Sequence, residues 1–386
     1  MAGRRPRGCT HGVTFPLKFA IGIIAAVLAA AAASAASKVF APLALALFIM
    51  AVVWPLQSWL QSRIPRLIAL AITLVITVAT CLAFASLAAW GFGRVGQSLI
   101  ANAGRYQALY EAARIWLDGH GISVAGLWAQ HFNVGWLLRA AQQLTSRANA
   151  TLSFWLIALL YLLLGLLEVE DIRRRIERLD NRSAARVLLD GSAVTAIKFR
   201  KYMLVRTQMS AITGLLVGSF AWATGLPFAF EWGVIAFVLN YIPFIGPFVA
   251  TLFPTLLAMT QFASWPAVLG VFACLNIIQF VVGSYIEPRV AGSTLSISPL
   301  VVLFAIFFWT FLWGLFGTFI GVPITLAILT FCSMHPSSRW LSDLLGGNRN
   351  GKAASSPFPA AAGTASHPDQ PQAYGHTNEP AHRRPP

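Results

Sequence analysis

Two stretches of this chain are nearly free of charge. Between Arg206 and Glu287 the only charged side chain is Glu231, and between Arg289 and Arg339 there is none. Each stretch exceeds the ~20 residues that a helix needs to cross hydrocarbon. Soluble domains carry about a quarter charged residues, whereas this chain carries 11%. Helices satisfy their own peptide groups in lipid. The chain therefore reads as an all-α polytopic membrane protein.

The apolar segments run roughly over 17–36, 39–60, 66–92, 150–167, 203–226, 228–260, 265–286 and 299–331, which predicts about eight transmembrane helices. The run from Phe19 to Ala36 is read as a first span and not as a leader, because a second apolar run follows almost at once. This divides the chain into a basic arm (1–16), helices one to three (17–92), a segment between membrane spans (93–149), helices four to eight (150–345) and a tail (346–386). Arg4, Arg5, Arg7 and Lys18 precede the first span, and Arg63 and Arg66 follow the second. Ten Lys or Arg occur from Arg173 to Arg206. By the positive-inside rule these regions, including the basic segment 168–202, are cytoplasmic, and both termini are too. The 93–149 segment then lies outside as a short amphipathic helical piece, with Trp116, Leu117, Leu127, Trp128, Trp136, Leu137 and Leu138 as its apolar anchors. In 168–206, Glu170, Arg174 and Glu177 are spaced for helical charge pairs. The tail is rich in Pro, Ala, Gly and Ser and is expected to be disordered.

The net charge of +15 does not indicate a nucleic-acid partner, because the basic residues cluster beside apolar segments. Cys9, Cys81, Cys274 and Cys332 have no metal-ligand spacing, and His367, His376 and His382 are irregularly placed, so no metal or cofactor is implied. No GxxxxGK[ST] occurs to hold a nucleotide, and no HExxH or GxSxG marks an intramembrane enzyme. The partners that remain are the lipid bilayer and a small-molecule substrate.

The run NYIPFIGPFVATLFP (240–254) cannot continue as a plain span. As one helix, residues 228–259 would rise ~48 Å against ~30 Å of hydrocarbon. Pro243 and Pro247 remove backbone donors, and Gly246 admits conformations that other residues resist. Peptide groups freed in this way must be buried in protein or line a hydrated cavity, which is how discontinuous helices build sites in transporters. A kinked packing helix is the alternative. Asn240 stands at the break as a neutral donor and acceptor. The block from Ser298 to Pro323 repeats the pattern, with Gly314, Gly317, Gly321 and Pro323 inside it. Gly317 and Gly321, like Gly214 and Gly218, have small-xxx-small spacing for close helix packing. Between the two breaks lies YIEPRVAGSTLSISP, in which Glu287 and Arg289 are isolated charges available to pair with each other or to bind a polar substrate. Glu231 sits near the Gly225–Pro227 turn and is expected at the interface.

These residues carry a family resemblance. APLALALFIMAVVWPLQSWLQSRIPRLIALAITLV, LNYIPFIGP, IEPRVAGSTLSISPLVVL and WGLFGTFIGVPITLAIL resemble, in order, signatures of the autoinducer-2 exporter-like family of bacterial membrane proteins. The resemblance runs from about Phe40 to Leu329. It implies about eight helices, an inner-membrane location and export of small molecules, and it allows a homo-oligomer. Some members are associated with sodium/proton antiport. The matching positions are Asn240, Pro243, Gly246, Pro247, Glu287, Pro288, Arg289, Gly292, Ser298, Pro299, Gly314, Gly317 and Pro323. The candidate functions are export through a site built from the 240–247 break and the 285–299 loop, sodium or lithium/proton antiport, and a scaffold without flux. Asn240, Pro243, Gly246, Pro247, Glu287, Arg289 and Ser298 are the substrate or gating candidates.

Overall fold

The computed structural model describes residues 14–346, apart from 121–147, 263, 292–296 and several positions between 103 and 117. The arm before residue 14, the apolar anchors expected within 93–149, Gly292 and the tail from 347 lie outside the described residues. The fold is helical: α1 (Thr14–Ala35), α2 (Ser37–Gln61), α3 (Arg66–Ala101), α4 (Ala148–Glu177), α5 (Arg182–Ala223), α6 (Ala229–Leu239), α7 (Ile245–Gln261), α8 (Trp265–Phe280), α9 (Glu287–Ala291), α10 (Pro299–Met334) and α11 (Arg339–Leu345). A π-helical stretch, Val281–Ile286, joins α8 to α9. Val75, Leu215, Trp222 and Phe311 stand exposed on the outside, as helices surrounded by lipid allow.

Helix α5 is the axis of the molecule. Its 42 residues rise ~63 Å, twice the hydrocarbon thickness, so its basic first half continues beyond the apolar span. Asn181 caps its start by accepting from the Ala184 amide at 3.0 Å. The preceding helix ends with Arg173 bonded to Glu177 at 3.1 Å, so that this charge pair forms in place of the predicted pairing of Glu170 with Arg174. Further along α5, Arg200 donates to the Ala51 carbonyl at 3.3 Å. That carbonyl has lost its ordinary helical donor because Pro55, four residues on, has no N–H.

The two broken segments are not interrupted rods. Each folds back as a hairpin. In the first, α6 descends and α7 returns. At the tip, a side chain on Gly246 would collide with the Leu239 carbonyl. At the base, Gln261 Nε2 donates to Gly225 O at 2.8 Å. Trp232, Ile235 and Ala236 on one arm share a core with Ala250, Leu257 and Ala258 on the other.

The second hairpin is α10 folded on itself. At Gly314, φ is 61° and ψ is −141°, a left-handed conformation that only glycine adopts readily. Trp309 Nε1 then donates to Thr325 Oγ1 at 3.1 Å, and Thr310 and Thr318 hydroxyls meet at 2.7 Å. Among the described residues, five helices have the length and apolarity to cross a bilayer, α10 among them. The reversal at Gly314 nevertheless rules out a single crossing by α10. The segments 228–260 and 299–331 are thus hairpins where one discontinuous span each was expected. A break signal says that a helix stops, but carries no information about the direction the chain takes afterwards.

The hairpins come from opposite ends of α5. The base of the first adjoins the turn after α5, while in the second Thr330 accepts from Lys198 at 2.9 Å and Phe331 lies over Gly191. The small residues divide between the two hairpins. Gly214 and Gly218 meet Gly233 of α6, where a Cβ on Gly214 would lie 2.7 Å from the Gly233 carbonyl. Gly317 and Gly321 pack instead against the first arm of their own hairpin, at Trp309 and Ala305. Gly214→Val is expected to destabilise the protein by about 1–3 kcal/mol through overpacking, read as a lowered melting temperature of the purified protein. Gly270→Ala, where a Cβ meets nothing within 4 Å, is expected to be neutral.

Candidate functional site

The first tip meets the second hairpin beside the middle of α5. Tyr241, at the first tip, is the hub. Its hydroxyl lies 3.0 Å from Thr207 Oγ1 on α5, and its ring is 5.2 Å from Phe84 of α3 and 6.4 Å from Phe319 of the second hairpin. The tip forms where Pro243 and Pro247 leave no donors to satisfy. Pro247 occupies the first turn of α7, where an N–H would have no helical acceptor. Phe244 makes the reversal at φ 63°.

On the residue next to Thr207, Arg206 Nη1 contacts both carboxylate oxygens of Glu287, at 3.2 and 3.3 Å. The guanidinium also stands 5.6 Å from the Tyr202 ring centroid. Arg206 is only 9% exposed, so it is a charge inside the bundle and not the topology signal that its place at the end of a basic cluster suggested. The π-helical stretch before Glu287 widens the helix and delivers this carboxylate to α5. Glu287 does not pair with Arg289. Arg289 is exposed and donates to Tyr285 Oη at 2.7 Å, because four residues of helix place it over that ring.

Helical geometry shows what else faces this point. Successive residues turn by ~100°. Thr207, Gly214 and Gly218 form the face of α5 toward α6, and Val205, Met209 and Ile212 the face toward α8. Arg206, Ser210, Thr213 and Val217 lie on the stripe between, which the first hairpin and α8 enclose around Val217. Ser210 and Thr213 are fully buried, and Asn240 is 7% exposed. Both hydroxyls and Asn240 Nδ2 lack a hydrogen-bond partner among the described residues. An unsatisfied buried polar group costs about 1–3 kcal/mol, and Ser210 and Thr213 follow Arg206 by about one and two turns along the same stripe of α5.

Other candidates lie elsewhere. Ser298 is at the base of the second hairpin, where its amide donates to Leu345 O at 3.4 Å. Residues 285–291, expected as a loop, are helical, while 292–296 lie outside the described residues. Glu231, expected at the interface, is 6% exposed and bonded to Arg94 at 3.1 Å. It ties the base of the first hairpin to α3. An open depression of about 400 Å³, lined by Arg105, Gln261 and Trp265 among others, also lies at that base and contains none of the tip residues. Arg206, Ser210, Thr213 and Tyr241 escaped the sequence reading. Only the helical spacing of Arg206, Ser210 and Thr213 could have signalled them.

Comparison with known proteins adds independent information. A family model described as AI-2E family transporter matches residues 21–335. The chain is 34% identical over 185 residues to the AI-2 transport protein TqsA of Escherichia coli K12, covering 48% of this chain and 53% of that protein. It is also 34% identical over 149 residues to a putative transport protein of Borreliella burgdorferi, covering 38% and 41% of the two chains. A third relative, the putative transport protein YrrI of Bacillus subtilis, is 34% identical over 134 residues, covering 35% and 37%. The matched region thus spans about half or less of each relative.

The ion pair can be weighed by mutation. Glu287→Gln strands a buried guanidinium and is expected to cost about 3 kcal/mol or more. Arg206→Gln strands the more open carboxylate and should cost less. The double variant should lose less than the sum, as thermal melts of the purified proteins would read.

Proposed function

Because the chain belongs to the AI-2E transporter family and is a multi-pass membrane transporter, we propose that it exports a small polar molecule through the meeting point of its two hairpin tips. The molecule would resemble autoinducer-2, the solute in the name of the Escherichia coli relative, or a related metabolite. The supporting observation is the buried, unpartnered set of Asn240 at the first tip and Ser210 and Thr213 on the stripe of α5 that carries the Arg206–Glu287 pair. Two hairpins from opposite ends leave only their tips between the two aqueous phases. A site there is exposed to one side when one tip withdraws and to the other side when its counterpart does. The basic residues in 168–202 and the N-terminal arm support cytoplasmic termini, and the family supports the bacterial inner membrane.

Sodium or lithium/proton antiport fits the tip less well. Glu231 and Glu287 each face an arginine, so each carboxylate already has a cationic partner. A scaffold role would rest on the 93–149 segment, most of which lies outside the described residues.

The test is flux in liposomes containing the purified protein, with candidate solutes including autoinducer-2 and imposed gradients. Asn240→Leu keeps the side-chain volume and removes the donor. It is expected to reduce flux at least about tenfold, equivalent to about 1.4 kcal/mol, with membrane abundance unchanged. Wild-type flux in Asn240→Leu would remove the tip as the site.

A further inference from the structure

The tip cluster is rich in donors and has one fixed cation. Asn240 Nδ2 is a donor that no described group accepts from, and the Ser210 and Thr213 hydroxyls have no described partner. All three residues are more than nine-tenths buried. Asn240 adjoins Tyr241, which is bonded to Thr207, so it lies at the depth of Arg206 and Ser210. The two members of the ion pair are unequally held. The Arg206 side chain is 11% exposed and that of Glu287 is 27% exposed. Arg206 sits within a continuous 42-residue helix, while Glu287 follows the π-helical stretch near the end of the helix Trp265–Ala291. The carboxylate is therefore the member that can leave.

Resting on the tip as the transport site, we propose that its ligand is a small hydroxylated oxyanion whose carboxylate or phosphate oxygens replace Glu287 on Arg206. Asn240, Ser210 and Thr213 then donate to the ligand's remaining oxygens. A charged carboxylate left without its cation inside the bundle is unfavourable, so Glu287 takes one proton from the water on the side where the anion arrives. Arg206 is the cation facing Glu287 from α5. On Glu287's own side Tyr285 and Arg289 are engaged with each other, the Tyr202 ring on α5 stands 5.6 Å from the guanidinium, Tyr241 is bonded to Thr207, and Lys198 is bonded to Thr330. Arg206 keeps its charge throughout. The moving unit is one anion with one proton, neutral overall, and the proton returns to water when Glu287 re-forms its bond.

The experiment uses the purified full-length protein with sodium gluconate, sodium phosphate or, as controls, sodium chloride at matched ionic strength and glycerol. Glu287→Gln should melt below wild type in chloride, and gluconate or phosphate should recover most of that shift by supplying the missing counter-charge. Which of the two succeeds distinguishes a carboxylate from a phosphate ligand. The Arg206→Gln/Glu287→Gln variant should show no recovery. Equal stabilisation of the double variant, or no recovery by either anion, overturns the proposal. Wild-type protein gives a second reading independent of the variants' folding: titration calorimetry should show anion affinity falling by up to about tenfold per unit rise in pH, as uptake of one proton requires. Affinity independent of pH overturns the proton step. If Asn240→Leu abolishes flux of a neutral solute while no anion binds, the tip stands as the transport site and the oxyanion assignment falls. If anions do not bind and Asn240→Leu also leaves flux intact, both fall.

Discussion

A peptide N–H or C=O inside a bilayer has no water to turn to, so every helix end at membrane depth needs a partner from the protein. This chain has helix ends at two such places, and the structure around them follows from that requirement. At the first tip, the Gly246 amide donates to Ile242 O at 3.0 Å and the Ile245 amide to Pro243 O at 2.7 Å. The prolines that looked like damage to a helix reduce the problem, because a residue without an N–H leaves no donor stranded. At the second tip, the Thr318 hydroxyl donates to Gly314 O at 3.2 Å. Glycine at 246 and 317 lets the arms close until the backbone of one touches the other, which keeps lipid from the turn.

The same logic reaches into α2 and α5. The Ala51 carbonyl released by Pro55 is met by Arg200, so one of the basic residues near the membrane end of α5 holds two helices together in addition to its charge. Arg206 takes this further and carries its charge into the bundle. Along one stripe, α5 thus changes from packing against the second hairpin, at Phe199 and Tyr202, to packing against the first, at Val217. The ion pair lies at the changeover. The glycine crossing of α5 with α6 is tight and extensive. The first tip, by contrast, meets α5 through one hydroxyl pair and the second hairpin through a pair of tilted rings.

Much of this architecture was legible in the residues. The charge-free runs announce membrane helices, and Asn240, Pro243, Gly246 and Pro247 mark a break as clearly as Gly314 marks the other. The reversal was not legible. It depends on Phe244 adopting a positive φ, which a bulky residue resists and no pattern advertises. The partner of Glu287 was hidden for a different reason. Arg206 closes a run of arginines and lysines that reads as a flank, and only the packing of α9 on α5 distinguishes it. Small-xxx-small spacing located Gly317 and Gly321 as close contacts but could not show that their partners, Trp309 and Ala305, stand upstream in the same hairpin.

Hairpins that return to the side they came from also constrain how this chain is assembled. Helix α6 has 11 residues, ~16 Å of rise, too short to be handed sideways into lipid as an independent segment. It packs on α5 through Gly214 and Gly233 and on α3 through Gly91. Both of those helices precede it in the chain, so its main packing surfaces are already made when the first hairpin leaves the ribosome.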